Sequence, residues 1–381
     1  MEALTMRALA DATGCPAATI QYQFGSKQNL LRATFEYLVE SHLSRLDAVE
    51  DFVSPTDPDI SILPRILTHV ICHGGKDARR EQLALVELLA LALRNSELMP
   101  VVERWIRPLE QFWRSVAERG EQNGHMGIFL LELYLGLAFH MSGIEPAMEA
   151  ELISQEIIDR ALRPAEQRTP PLWFNAILRE VLRTGSLALG TYPIPATPTA
   201  RTILQAAMTI AVDEGPGQLS FRSVATRAAT SVSAIAHYFP TRQALLFATY
   251  RTIHEEIIAF TRRLVTDRPS RYDSGLAEEI VTYRGDGPLA LLIAYSELEL
   301  VAARTDDFRY LARYLRMTRG LYHVHRHDPG FDPCSSDAFD GFALSFWMVG
   351  HTLRTAMPFY RDTSLELLRS VEFGFRQFGM N

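Results

Sequence analysis

The sequence predicts an all-α protein built from two related halves. Three observations lead there. Apolar residues recur at helical spacing along nearly the whole chain. No stretch alternates apolar and polar residues between turn signals, as a half-buried strand would. And the chain repeats itself: shifted by 215 positions, Leu4–Leu38 lies over Leu219–Ile253 without a gap, with ten of the 35 positions identical. The matches include Arg7/Arg222, Ala10/Ala225, Ile20/Ile235, Phe24/Phe239, Leu30/Leu245 and Leu31/Leu246, and apolar positions such as Leu9/Val224 and Phe35/Tyr250 pair with apolar ones. Duplication followed by divergence accounts for that register.

Composition bounds the function. At 381 residues the chain should hold more than one domain, and 47% hydrophobic residues suffice for packed cores. A net charge of −7 excludes a protein that coats nucleic acid through global charge, but leaves room for a local basic face. Cys15, Cys72 and Cys334 lie far apart and form no C-x-x-C, which argues against a zinc site or a disulfide framework. Glu2, Arg7 and Asp11 interrupt the apolar residues of the N-terminus, so no signal peptide is expected, and the apolar run 128–139 is too short for a bilayer. A cytoplasmic protein with no membrane partner is the expectation.

The elements follow in order. Thr5 and Ser220 each precede an apolar periodic run, as N-caps do. Gly14 sits where the first of two short helices turns into the second, and Ser26 and Thr241 open long helices reaching about Phe52 and Leu264. Helices then follow near 60–73, 80–96, 101–119, 126–141, 147–163 and 171–187. Pro193, Pro195 and Pro198 cannot share a helix interior, so the stretch from 191 to 198 reads as a linker. A helix from Ala200 to Asp213 precedes the second copy, and helices near 275–283, 287–304, 307–325, 336–357 and 363–379 echo the first half. Glu87-Leu88, Ala92 and Arg94 recur as Glu297-Leu298, Ala302 and Arg304 at an offset of 210, and His140 lies over His351 at 211. The expected domains are therefore 1–41 and 199–253, each followed by a larger helical domain, 42–190 and 254–381.

A short helix, a tight turn and a second short helix can place one helix in the DNA major groove while the other crosses the phosphates. In the second copy Phe221, Val224, Ala225, Ala228, Ile235 and Phe239 supply an inner face, leaving Arg222, Arg227, Ser231, Ser233, His237, Tyr238 and Arg242 outside. Within 199–253, Arg201, Arg222, Arg227, Arg242 and Arg251 outnumber Asp213 and Glu214, a basic island in an acidic chain. The alternative is an ordinary helical hairpin with a solvated basic face.

These residues resemble the TetR family of tetracycline-repressor-like regulators. The family run T-x-R-x-[I/V/L]-A, a turn, a recognition helix and aromatic-F-x-x-[K/R]-x-x-L is met by Thr5, Arg7, Leu9, Ala10, Phe24, Lys27 and Leu30, and again by Ser220, Arg222, Val224, Ala225, Tyr238-Phe239, Arg242 and Leu245. Ile203–Gly215 resembles the family's first helix. The resemblance is tight over about 90 residues and architectural elsewhere. It implies that Lys27 and Arg242 meet phosphate, that Thr5 and Ser220 cap a helix and reach the DNA backbone, and that Pro16–Tyr22 and Ser231–His237 are recognition helices. Base-edge candidates are then Ala17, Thr19 and Gln21, and Val232, Ala234 and His237; Gln21 suits adenine and small apolar groups suit thymine methyls. Tyr22, Tyr238 and Ser231 complete the expected DNA-facing set.

Gln21 and Ala236 stand where the family usually has Tyr, and Ala229 replaces the small turn residue that is Gly14 in the first copy. The counterpart of Ile203–Gly215 would fall before Met1. Met6, Leu9, Ile20 and Phe24 are then expected to lack a cover, unless the start lies upstream or another segment supplies one.

The resemblance further implies a dimer-type bundle with a ligand pocket nearby. Candidate pocket residues are Trp113, Phe139, His140, Tyr322, Trp347 and His351, with core packing as the competing reading for each; Trp105, Phe112, Tyr310 and Tyr314 are further aromatics at helical spacing. Glu87…Arg94 and Glu297…Arg304 lie two turns apart on one helix face and read as surface or inter-helix ion-pair residues. His323, His325 and His327 read as a solvated helix end, because alternate residues on a helix face apart. No metal and no cofactor is expected, and no nucleotide-binding, zincin or nucleophile-elbow motif is present to suggest an enzyme. The overall expectation is a single-chain regulator, more plausibly a repressor. It would bind a double-stranded operator of imperfect palindromic form or two unlike half-sites. A small, largely apolar effector would control it, and its halves would pack as an intramolecular pseudo-dimer that could pair further. The alternatives are a ligand- or partner-binding helical protein without DNA binding, or a helical enzyme without a recognisable motif.

Overall fold

The computed structural model describes residues 6–53, 63–72, 75–119, 124–141, 147–163, 165–190, 194–266, 277–278, 286–302, 305, 308–320 and 332–378. Among them the chain is helical, with no strand. The first half holds α1 (Met6–Thr13), α2 (Ala17–Phe24), α3 (Lys27–Val53), α4 (Leu63–Cys72), α5 (Gly75–Ala92), α6 (Met99–Arg119), α7 (Gly124–Met141), α8 (Ala147–Leu162) and α9 (Leu172–Gly190). The second holds α10 (Pro198–Asp213), α11 (Phe221–Arg227), α12 (Val232–Tyr238), α13 (Arg242–Thr266), α14 (Asp286–Ala302), α15 (Arg309–Met317), α16 (Ser336–Ala356) and α17 (Ser364–Gln377).

Local chemistry sets the ends. Pro198 opens α10 rather than staying in the linker, because the first helical position needs no N–H donor. Thr197 caps it, accepting from the Ala200 N–H at 3.1 Å. Ser335 caps α16, and Thr363 and Glu366 form a reciprocal capping box on α17. The first turn of α9 is held from α8: the Glu156 carboxylate accepts the N–H groups of Leu172, Trp173 and Phe174 at 2.7–2.8 Å. The expected helix near 275–283 is described only at residues 277–278, and the end of the one near 307–325 lies outside the described residues.

One apolar core runs through both halves, centred on α7 and α16, while α10–α15 enclose a second around the second short-helix pair. α7 and α16 meet backbone to backbone. A Cβ on Gly136 would stand 2.7 Å from the Phe346 carbonyl carbon, and one on Gly350 would stand 2.5 Å from that of Glu132. The contact is reciprocal, and it pairs Gly136 with Gly350 and Glu132 with Phe346, an offset of 214. That corrects the sequence register of 211: His140 is the counterpart of Arg354, not of His351. Further links cross between the halves. Arg313 of α15 pairs with Glu149 of α8 (2.9 and 3.0 Å) and with Glu180 of α9 (2.7 Å). Arg160 makes a two-pronged contact with Asp340, and the Tyr314 ring closes on Gly185.

Arg94 forms an ion pair between helices, one of the two readings its sequence position offered. It reaches Glu297 of the other half (2.5 Å) and donates to the carbonyls of Ala211 (3.1 Å) and Val212 (2.5 Å) at the end of α10. Arg304, its expected counterpart, lies outside the described residues, as do His323, His325 and His327.

Candidate nucleic-acid interface

In the second copy α11 and α12 pack on α10 and stand ahead of α13. Val224, Ala225, Ile235 and Phe239 are buried against Ile203, Leu204, Ala207 and Ile210. Phe221 and Ala228 are half-buried at the margin. Ser220 and Ser223 form a capping box on α11, and Ser231 caps α12 by accepting the Ala234 N–H at 3.0 Å. These bonds orient α12 so that Ser231, Val232, Ser233 and His237 are exposed, with Ala234 and Tyr238 half-buried beside them.

The arginines divide. Arg222 is exposed and makes no ion pair or hydrogen bond from its side chain among the described residues. Arg227 is tied to Asp213 (3.3 Å) and Glu214 (2.7 Å). Arg242 has a structural duty, since its Nε donates to the Leu219 carbonyl at 2.8 Å and fixes the loop that enters α11.

The turn between the paired helices needs left-handed backbone. Gly14 supplies it at φ +67° without hindrance, whereas Ala229 adopts φ +49° against its own Cβ. Both small residues that the sequence put at the turn are therefore at the positive-φ position.

In the first copy Arg7, Ala17, Thr19, Gln21 and Lys27 are exposed and Tyr22 is 91% exposed, on or just beyond α1 and α2. Thr5 lies outside the described residues. Ile20 is buried, but Leu9 and Phe24 are only half-buried, where their counterparts Val224 and Phe239 are fully covered; Met6, like its counterpart Phe221, is half-buried. No described helix covers α1 and α2 as α10 covers α11 and α12.

The other expected residues lie in the helical cores. Trp113 packs edge-on against Phe112 at 4.8 Å and beside Tyr134 at 6.2 Å. Phe139 is buried in the shared core. Trp347 donates from Nε1 to Glu132 at 2.9 Å, and His351 and Arg354 contact the same carboxylate at 2.9 and 2.7 Å. Burial alone would raise the Glu132 carboxyl, but the charges and hydrogen bonds of His351 and Arg354 prevail and hold it below the ordinary range. His140 contacts Glu299 and lies 2.7 Å from Arg319. So His140 and His351 sit in two separate polar clusters. Tyr310 is exposed, and Tyr322 lies outside the described residues.

Sequence reading missed the acceptor of Arg94 and the charged cluster around Glu299. The signal for both was present, as charges interrupting otherwise apolar helices, but pairing across 200 residues leaves no local pattern. Among the described residues no helix is long and apolar enough to cross a membrane, and no cluster of His, Cys, Asp and Glu could hold a metal ion.

Comparison with known proteins agrees with this geometry. The model for bacterial regulatory proteins, tetR family, matches residues 1–34 and again 203–249, which are the two short-helix modules with α10. A search of the curated proteins finds no match to the chain.

Proposed function

The chain carries two tetR-family DNA-binding segments, and from that premise we propose that it is a transcriptional repressor whose two heads read one operator. The observation that carries this is the outward face of α12: a capped helix on a buried base, with Ser231, Val232, Ser233 and His237 exposed and Arg222 beside it without a side-chain partner among the described residues. Arg222 and, in the first head, Lys27 would meet phosphate, where a helix N-terminus also favours an anion. Ala17, Thr19, Gln21 and Tyr22, and Val232, Ala234 and His237, would meet base edges. Because the two reading helices differ, the operator would be an imperfect palindrome or two unlike half-sites, about 34–36 Å apart.

The halves would form an intramolecular pseudo-dimer through α7, α8, α16 and α17, so binding should not weaken on dilution. A small effector in the helical cores would act by binding better to one spacing of the heads than to another. Arg94 supports such coupling, since it joins the first regulatory domain to the end of α10 in the second head.

The test is binding of the full chain to genomic fragments at graded salt. Arg222→Ala should weaken binding uniformly and lower the salt slope by about 1. Arg242 is a poor choice for this purpose because it also holds the α11 loop. Binding unchanged in Arg222→Ala and Lys27→Ala would reject the proposed interface.

A further inference from the structure

We infer that the core of the second regulatory domain takes an anionic small molecule with an apolar body, its charge met by Arg316 and Arg319. The inference rests on the effector reading above and names the effector's chemistry.

Among the described residues, two buried guanidiniums gather around one buried carboxylate. Arg316 and Arg319 are 5% and 8% exposed, and the carboxylate among them is Glu299, 2% exposed. Both oxygens of Glu299 are engaged: Tyr250 donates to Oε1 at 3.0 Å and His140 contacts Oε2. Arg316 Nε stands 3.9 Å from Oε1, and among the described residues it makes no hydrogen bond. The next carboxylate, Glu149, bonds both prongs of Arg313, which Glu180 also meets, and it acts on Arg316 through charge without a hydrogen bond to it. Burial disfavours the charged form of both guanidiniums, which nonetheless stay cationic at any ordinary pH. Burial, with Arg319 and Arg316, holds His140 well below the usual histidine range, and burial with Arg319 brings His254 to about 3, so neither histidine adds a further positive charge. A buried cation without a full partner is among the costliest features a core can carry.

The twin half shows that the fold does not require it. At the offsets of the repeat, Tyr250, His254, Tyr295 and Glu299 correspond to Phe35, Val39, Leu85 and Leu89, all buried hydrocarbon. The same helical positions therefore pack well without charge. At those four positions the polar groups belong to the second half alone, and the buried Arg316 Nε beside them, which makes no hydrogen bond among the described residues, can receive an anion. The surroundings set the rest of the ligand: the Tyr295 ring lies 5.1 Å from the Arg319 guanidinium and 5.0 Å from the Tyr250 ring, which offers flat apolar surface beside the charge. α7 brings His140 to this cluster from the other half, so occupancy would be sensed by both.

The experiment is thermal unfolding of the full chain, at fixed chloride, with benzoate and octanoate as probes and benzamide and octan-1-ol as their uncharged counterparts. At least one acid should give a saturable rise in Tm that its counterpart does not. Arg316→Met should raise the Tm of the protein without probe, because it removes a poorly compensated charge, and should weaken the acid's effect by at least about tenfold. Glu299→Gln should strengthen that effect. The proposal is overturned if neither acid exceeds its counterpart, if Arg316→Met lowers the Tm without probe, or if Glu299→Gln weakens the acid's effect. DNA binding measured in parallel separates this site from the effector reading. An acid that stabilises the chain but leaves DNA affinity unchanged keeps the site and rejects effector control. DNA affinity that responds only to the uncharged compounds keeps effector control and rejects the site.

Discussion

The contact between α7 and α16 makes a sharp prediction for Gly350→Ala. Alanine is a better helix former than glycine, so on an open helix surface the change should stabilise by roughly 1 kcal/mol. Here the added Cβ would lie 2.5 Å from the Glu132 carbonyl carbon, closer still to its oxygen, and 2.9 Å from the Gly136 nitrogen. These are backbone atoms of a buried helix, so no flexible side chain can swing away. Restoring ordinary contact requires α7 and α16 to part by more than about 1 Å, which opens the most closely packed line in the core. Overpacking of this kind costs about 1–3 kcal/mol, and the upper end applies because backbone must move. At about 2–4 °C per kcal/mol the variant should lose roughly 6–12 °C in Tm. Circular dichroism at 222 nm during heating reads it directly. Gly136→Ala, the reciprocal change, should behave alike. A Tm equal to or above that of the unaltered protein would show that these helices do not meet at the glycines, and the described packing of the two halves would fall with it.

Other consequences can be checked in the same way. Ala229→Gly removes a left-handed alanine from the turn ahead of α12 and should stabilise the second head by about 1 kcal/mol in urea unfolding; no gain would mean that the turn is not left-handed. Arg94→Ala should lose about 3 kcal/mol, since it strands Glu297 in a mostly buried site, and adding Glu297→Leu should recover part of the loss; strict additivity of the two changes would deny their contact. Burial, assisted by Arg45, brings His42 down to about 4, and burial with Arg319 brings His254 to about 3. Both are therefore neutral in the folded chain while the unfolded chain takes up protons below about 6.5. Their contribution is complete above that pH and should fall by up to about 1.4 kcal/mol per unit for each histidine as pH drops from 6.5 to 5. Stability flat across that window in urea would contradict their burial.

Much of the architecture was legible because helices announce themselves locally. The apolar period placed nearly every described helix to within a few residues, and the repeat placed the two heads. Ser220 also caps its helix where its place before the apolar run required, whereas the cap from Ser231 emerged only from the structure. What stayed hidden was pairing between distant segments. Nothing near Arg94 shows that it ends at Ala211 and Val212, and nothing near Glu132 shows that its oxygens take Trp347, His351 and Arg354. The register error at His140 has the same origin. Histidine matched histidine at 211, whereas the backbone contact that fixes the true offset runs through glycines, which carry no side-chain signal.

That contact also explains what a single chain gains over two identical ones. In a symmetric pair every residue at the crossing appears twice, so a glutamate at position 132 would bring a second buried carboxylate with it. Here the counterpart of Glu132 is Phe346, and the counterpart of His140 is Arg354. One carboxylate can then face one arginine and one histidine across the same two helices, with no duplicate charge to compensate. The glycines that set the close approach remained in both halves, because losing either would force the backbones apart. The positions flanking them were free to become unlike. By the same logic the two cores differ: one has hydrocarbon at Phe35, Val39, Leu85 and Leu89 where the other has two tyrosines, a histidine and a glutamate. A tethered pair can therefore place its charged chemistry in one half and its plain packing in the other, an asymmetry that identical subunits cannot encode.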